Sequence, residues 1–378
     1  MTYHFQYISE DLRKMIEPAA SRSHRFDGKL DVRVQSDAFV APYVDWERSI
    51  GCVLDKNGEA VKDSECLEWK EDGTYYTPGQ GRRENKDAIF LGFILTVFGH
   101  SFTDDLRKLW FVKTPLFKSL VAKGVDVVYT TSWNLPLPEA VKEIILLSGY
   151  DISKARHISE LTHYNNIYIP DNCCKATPWG RVYSQEYKQL IHQILGSMRG
   201  IRVSSPEKLY FTRSKFSAGN KKEYGERAIE RVFSRLGFTI VSPEDYSVEE
   251  QIQMVGSCRS FAATEGSVAH LSLFCRPGTE VFIINKVNYL NFHQVMINEF
   301  ADLDVTYIEA HHSSKADPRH PWWGPFYLYI TRHLEHFAGH RILHLPYWMC
   351  PSYWAYTRNI LFRFYNKGRK ILMRSFNK

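Results

Sequence analysis

The chain has 378 residues, 44% of them hydrophobic and 24% charged, which suggests two ordinary globular domains at roughly 100–200 residues each. The formal charge is +6, but residues 351–378 hold seven Arg and Lys and no acid, leaving 41 basic against 42 acidic residues elsewhere; so neutral a body argues against a nucleic-acid partner, which calls for a basic face. Seven cysteines, an odd number with no C-x-x-C pair, fit neither a disulfide framework nor a zinc pattern.

In chain order, MTYHFQYISEDLRKM shows no basic segment followed by an apolar one, and no apolar run approaches the roughly 20 residues of a membrane span. The expected location is the cytoplasm. Residues 1–35 are polar and mixed, without a clear period. Residues 36–70 read as short strands, with Asn57-Gly58 as a two-residue hairpin turn, and 71–86 as a charged, glycine-rich loop. Strands and helices then alternate. Asp87–Leu91 is strand-like. Ser101–Val112 carries Phe102, Leu106, Leu109 and Trp110 at helical spacing. Val125–Thr130 is a strand, Pro138–Leu147 a helix with proline near its first turn, Asn166–Ile169 a strand and Ser184–Met198 a helix. After a Gly, Ser and Pro cluster at 199–207, read as a hinge, the pattern returns. Lys208–Thr212 is a strand and Lys222–Leu236 an amphipathic helix stopped by Gly237. Phe238–Val241 is a strand, and Ser247 with Glu250 forms a capping box. Ser260–Ala263 is a strand, Val268–Phe274 a short helix, Glu280–Ile284 a strand, Leu290–Glu299 a helix and Val305–Ile308 a last strand. Such alternation implies mainly parallel sheets covered by helices, with ligands outside the carboxyl ends of the strands.

Three segments carry candidate chemistry. Thr264-Glu265-Gly266-Ser267 follows a buried strand, where glycine allows close backbone approach and amide groups at a helix start suit a phosphate; a plain tight turn is the alternative. Arg213-Ser214-Lys215 directly follows a strand and places a fork and a point charge where they can clamp a diphosphate, unless both are solvated loop cations. In Phe98–Asp105, His100 and Asp104 are four residues apart and share a face. Together they can form a general base; an acid pair on the helix dipole is the alternative. Asp302-Leu303-Asp304 matches the D-x-D of metal-dependent transferases, but it lies late, before the last strand, and no metal is expected.

The order of these motifs resembles the bacterial capsular polysaccharide branch of glycosyltransferase family 61. The resemblance rests on Thr212-Arg213, Glu226, Gly237-Phe238, Pro243-Glu244, Gln251, Glu265-Gly266-Ser267, His270, Phe274 and Pro277-Gly278-Thr279. AIFLGFILTVFGHSFTDDLRKLW also resembles the family's first-domain segment, and the whole spans roughly residues 85–312. Many members have His-Gly-Ala where Glu265-Gly266-Ser267 stands here. The resemblance implies an α/β GT-B fold, two Rossmann-like domains facing a cleft with a C-terminal helical extension. The expected divisions are 1–86 (strands and loops of the acceptor domain), 87–200 (acceptor side), 201–312 (nucleotide-sugar binding) and 313–378 (helical extension with a basic, aromatic tail). It also implies an inverting hexosyl- or pentosyltransferase without a required cofactor. The co-substrate would be a nucleotide-sugar, UDP by family frequency, and the acceptor a lipid-linked or oligosaccharide precursor of capsule or lipopolysaccharide. Asp104 and His100 are then the catalytic candidates, with Asp104 as base and His100 as its orienter or as the base itself. Arg213, Lys215, Gly266 and Ser267 fall to the diphosphate, Glu265 or Glu280 to ribose or sugar hydroxyls, and His270 near the phosphates or to a structural role. A non-catalytic nucleotide- or carbohydrate-binding component of a polysaccharide assembly complex is the alternative; it would keep Arg213 and the glycine turn and need no Asp104.

Residues 346–378 mix aromatic residues with clustered Arg and Lys. A basic, aromatic helix at 351–378 suits an anionic membrane surface, on the inner face of the cytoplasmic membrane; its aromatic face can instead pack back on the first domain.

Overall fold

In this computed structural model the described residues are 1–44, 51–64, 81–198, 203–216, 223–312, 322 and 324–376. The loop expected at 71–86 and the hinge at 199–207 lie partly outside them. The chain divides into two compact units, Ser23–Ile201 and Met1–Arg22 with Arg202–Lys378.

The chain begins with β1 (Thr2–Tyr7) and α1 (Glu10–Ala20). β1 runs parallel to a strand some 300 residues later, pairing Thr2 with Asp304 and Tyr7 with Ile308. The backbone N–H of Ser9 also donates to Glu309, at 2.8 Å. Assigning all of residues 1–86 to the first α/β unit is therefore corrected for Met1–Arg22. An alternating strand such as TYHFQY can join any open sheet edge, and its local sequence does not say which.

In the Ser23–Ile201 unit the strands are β2 (Val32–Ala41), β3 (Cys52–Leu54), β4 (Arg82–Arg83), β5 (Ala88–Ile94), β6 (Asp126–Thr131), β7 (Arg156–His157) and β8 (Thr162–Pro170), in the order β3-β2-β8-β5-β6-β7 with β4 on β8. β8, β5, β6 and β7 are parallel, whereas β2 runs antiparallel to both β3 and β8. The sheet is mixed rather than a purely parallel Rossmann sheet. Every residue of β5 is buried, the mark of a strand covered on both faces. Asn57-Gly58 does turn the chain, but as part of a three-residue loop. Gly58 N–H donates to Asp55 O and Asp55 N–H to Glu59 O, with Gly58 at φ 86°. The helices are α2 (Phe98–Ser101), α3 (Pro115–Ala122), α4 (Glu139–Leu147) and, after the hairpin β9 (Cys174–Thr177) and β10 (Gly180–Tyr183), α5 (Gln185–Ser197). The helix expected over Ser101–Val112 stops at Ser101 and gives way to turns and a 3-10 stretch at Leu109–Lys113.

In the other unit come β11 (Lys208–Phe211), β12 (Glu223–Tyr224), α6 (Glu226–Arg235), β13 (Thr239–Val241), α7 (Val248–Ser257), β14 (Ser260–Thr264), β15 (Glu280–Asn285), α8 (Phe292–Phe300) and β16 (Asp304–Glu309). They are followed by β17 (Phe326–Tyr327), α9 (Arg332–Ala338) and α10 (Pro351–Phe376). The six-stranded sheet β1-β16-β15-β14-β11-β13 is parallel throughout. Both bonds of the Ser247–Glu250 capping box form at the start of α7. Ile229, Val232 and Phe233 of α6 pack with Tyr210, Ala262 and Ile284 from the sheet. Following the chain from β11, order runs outward one way to β13 and the other way through β14, β15 and β16. The reversal falls between β11 and β14, and such a switch point opens a crevice at the carboxyl edge of an α/β sheet.

Among the described residues no helix is long and apolar enough to cross a membrane. Tyr356 of α10 is 3% exposed and its ring lies 6.0 Å from that of Tyr224 and 5.7 Å from that of Tyr327. Trp354, Leu361, Phe362, Phe364 and Tyr365 of the same helix are exposed.

Candidate functional site

At the switch point the carboxyl ends of β11, β14 and β15 deliver Arg213, Glu265-Gly266 and Lys286. The register pairs Phe211 with Ala263 and Thr264 with Ile284, so these residues leave the sheet side by side at strand spacings near 4.8 Å. Glu223 of β12 joins them. Its carboxylate, 3% exposed, holds Arg213 Nε at 2.9 Å on one oxygen and the Lys286 ammonium on the other. The Arg213 guanidinium also lies over the Phe216 ring at 4.8 Å, and the Lys286 ammonium over the Phe326 ring at 4.7 Å. Two cations share one carboxylate, and local charge stays positive.

Gly266 completes the cluster. Its φ is +122°, and a Cβ there would stand 3.1 Å from Lys286 Nζ. The backbone thus approaches the ammonium more closely than a side chain would allow. Arg213 and the Gly266 turn are linked through Glu223 and Lys286. Glu265, 4% exposed, accepts from Asn285 Nδ2 at 3.2 Å, and burial raises its carboxyl to about 7. Behind Arg213, Glu226 accepts from the Arg213 amide and from Tyr210 OH, each at 3.1 Å. Burial, then the charge of Glu223, raises Glu226 to about 8. Near neutral pH both groups therefore hold their protons for much of the time and subtract little from the positive charge.

The short helix expected over Val268–Phe274 forms as a six-residue 3-10 helix, Ala269–Phe274. A stretch this short builds little dipole, so the phosphate argument there rests on the cations and on glycine's close approach. His270 lies within it, buried, with Nε2 3.2 Å from Asn291 Nδ2. Ser267 is partly exposed beside the turn.

Two expected donor residues lie elsewhere. Lys215 is two-thirds exposed and its ammonium is 3.6 Å from Asp245, beyond β13. Glu280 is the first residue of β15 and accepts from Ser260 Oγ at 2.6 Å. That is the amino edge of the sheet, a full strand length from Gly266. Asp304 also opens its strand at the amino edge and faces His4 Nε2 at 2.8 Å, so the D-x-D carboxylates stand apart from the cations.

The Ser23–Ile201 unit carries a second cluster. His100 Nδ1 lies 2.6 Å from Asp104 Oδ2, in a turn where Asp104 N–H donates to His100 O at 2.8 Å. On the other side Arg181 Nη1, from β10, lies 2.6 Å from Asp104 Oδ1. The Asp104 side chain is 2% exposed and that of His100 38%. Asp104 is therefore enclosed and charge-compensated, while the imidazole is partly exposed. Asp105 points inward as well. Its Oδ1 accepts from Leu95 N–H at 2.8 Å, and burial raises its carboxyl to about 7.

Residues 98–282 match the family model Glycosyltransferase 61. The match covers just under half of the chain, beginning two residues before His100 and ending within β15. It therefore includes both clusters except Lys286, which lies four residues past its end. No curated protein matches the chain. The Glycosyltransferase 61 match supports transfer of a glycosyl group, and it takes in His100, Asp104, Arg181, Arg213, Glu223, Glu226, Glu265 and Gly266. Sequence reasoning missed Glu223, Lys286 and Arg181. Lys286 had one signal, a cation directly after a parallel strand. Glu223 and Arg181 had none, because their partners are distant in sequence.

Proposed function

We propose that the protein is an inverting glycosyltransferase that moves a sugar from a nucleoside-diphosphate donor, a UDP-sugar, to a lipid-linked or oligosaccharide precursor of a surface glycan. The observation that carries this reading is the pair Arg213 and Lys286, held on Glu223 beside Gly266 at the switch point. Preorganised cations of this kind stabilise a departing diphosphate. Arg213, Lys286 and the Gly266-Ser267 backbone meet the diphosphate, Glu265 meets a ribose or sugar hydroxyl, and His270 supports the turn.

In the transfer, the acceptor oxygen attacks the anomeric carbon, the bond from that carbon to the diphosphate oxygen breaks, and the nucleoside diphosphate leaves. The acceptor proton passes to the imidazole of His100, whose other nitrogen is held by Asp104. Asp104 fixes the ring and balances its charge once protonated, and Arg181 holds the other Asp104 oxygen. The GT-B arrangement, the inverting outcome and a membrane-facing role for residues 351–378 belong to the same proposal, as does action at the inner face of the cytoplasmic membrane.

Thermal stabilisation by a panel of nucleotides tests the donor half. UDP is expected to raise the melting temperature of the wild type and to do so far less for Arg213→Ala. A panel in which no nucleoside diphosphate stabilises the protein would overturn the reading. Donor hydrolysis tests the catalytic half: equal rates for wild type, His100→Ala and Asp104→Asn would leave a binding component and no transferase.

A further inference from the structure

Helix α6 carries Arg227, Arg231 and Arg235 four residues apart on one outward face, opposite Ile229, Val232 and Phe233, which enter the core. All three arginines are exposed, and among the described residues none forms an ion pair or side-chain hydrogen bond. Residues on such a stripe stand 5–6 Å apart. The three line one cavity of about 670 Å³, whose wall also includes Tyr329, His344, Leu345 and Glu223. The segment carrying His344 and Leu345 projects apolar side chains outward. Leu343, Leu345, Trp348, Met349 and Trp354 are between 48% and 103% exposed, although Ile342 and Tyr356 on either side are buried. Large apolar side chains beside unpaired arginines fit neither a solvated surface nor a soluble ligand alone.

We infer that this face binds an anionic glycerophospholipid at a membrane surface. The headgroup phosphate sits against the Arg227–Arg231–Arg235 stripe, and Leu343, Leu345, Trp348, Met349 and Trp354 enter the acyl boundary. The charges are complementary, guanidinium forks match phosphate oxygens, and tryptophan favours the headgroup level. The cavity also reaches Glu223, so it borders the cations at Gly266; the proposal does not depend on the transferase reading, since binding is measured without donor or acceptor.

Sedimentation of the full chain with phosphatidylcholine vesicles containing about 30% phosphatidylglycerol tests it. Each basic residue near such a surface adds about 1 kcal/mol, so Arg227→Ala/Arg231→Ala/Arg235→Ala should lower the partition coefficient about a hundredfold. A reference variant with the same charge loss on other exposed positions, Lys14→Ala/Arg22→Ala/Arg276→Ala, should change it less than about threefold. Both variants keep residues 351–378, so binding by that helix is common to them. Equal losses in the two would reduce the effect to net charge and overturn the proposal. Leu343→Ser/Trp348→Ser leaves charge unchanged and should also weaken binding; undiminished binding would overturn insertion of that segment. Glycerol 3-phosphate should not displace the wild type from vesicles, and full displacement would reveal a soluble-phosphate site instead.

Discussion

At Asp104 one carboxylate faces a histidine on one oxygen and an arginine on the other, and both contacts bear on what each residue can do. The carboxylate has little access to an acceptor, whereas the imidazole it holds is partly exposed. His100→Ala is expected to lower kcat by about 10²–10⁴, the range for loss of a general base, with nucleotide stabilisation intact. Asp104→Asn should give a smaller fall and an altered pH profile of kcat, because the ring loses its orienting charge; an unaltered profile would assign Asp104 a structural role alone. The buried acids have their own consequence. Burial raises Asp105 and Glu265 to about 7 and Glu226 to about 8, against about 4 in an unfolded chain. Between about pH 4 and 8 the folded protein therefore binds more protons than the unfolded one, and stability falls as pH rises through that window. The denaturant midpoint should drop from about pH 6 to about 8 and then level off. Glu226→Gln should flatten the upper part of the curve, and a midpoint independent of pH in the wild type would contradict the protonation assigned to these groups.

For single elements, the turn between β12 and α6 sets the position of Glu223, and its constraint is steric. Gly225 has φ +85°, and a Cβ there would lie 2.1 Å from Leu328 O, next to the bond from Leu328 N–H to Tyr224 O at 2.7 Å. Gly225→Ala should cost about 2–4 kcal/mol, from the left-handed backbone and from overlap with a carbonyl that cannot swing away. It should also weaken nucleotide binding, because separating β12 from β17 moves the carboxylate that aligns Arg213 with Lys286. Chemical denaturation and nucleotide titration on the one variant check both effects. Elements governed by local signals were legible in the sequence: the strands β11, β13, β14, β15 and β16, the capping box of α7, and the meeting of His100 with Asp104 at a spacing of four. Elements governed by distant partners were not. Ser101–Val112 has helical spacing, yet Asp104 and Asp105 turn inward to Arg181 and to the Leu95 amide, and these long-range bonds replace the helical ladder. Glu223 sits in a charged run of sequence and is recognisable only through Lys286, 63 residues away.

Over the whole chain, the separation of the two edges of the parallel sheet leads to a prediction about metals. The carboxyl edge gathers Arg213, Lys286 and Gly266, whereas Asp304 opens its strand at the amino edge and faces His4. If leaving-group charge is met at the carboxyl edge, Asp302→Asn/Asp304→Asn should leave nucleotide affinity and transfer within about twofold of wild type, as expected for substitutions away from the site. A chelator should likewise leave the rate unchanged. Arg213→Ala and Lys286→Ala should each weaken nucleotide binding by about 1.5–3 kcal/mol, the range for a hydrogen bond to a charged group. A ligand at 100 times its dissociation constant stabilises a protein by about 2.7 kcal/mol, so the difference is readable by thermal melting. Hydrogen exchange supplies the spatial check, with protection by nucleotide expected in peptides containing Arg213, Gly266 and Lys286 and absent from those containing Asp302 and Asp304. Loss of binding on chelation, with protection moving to the Asp302–Asp304 segment, would place the diphosphate on a metal at the amino edge and remove the role given to the switch point.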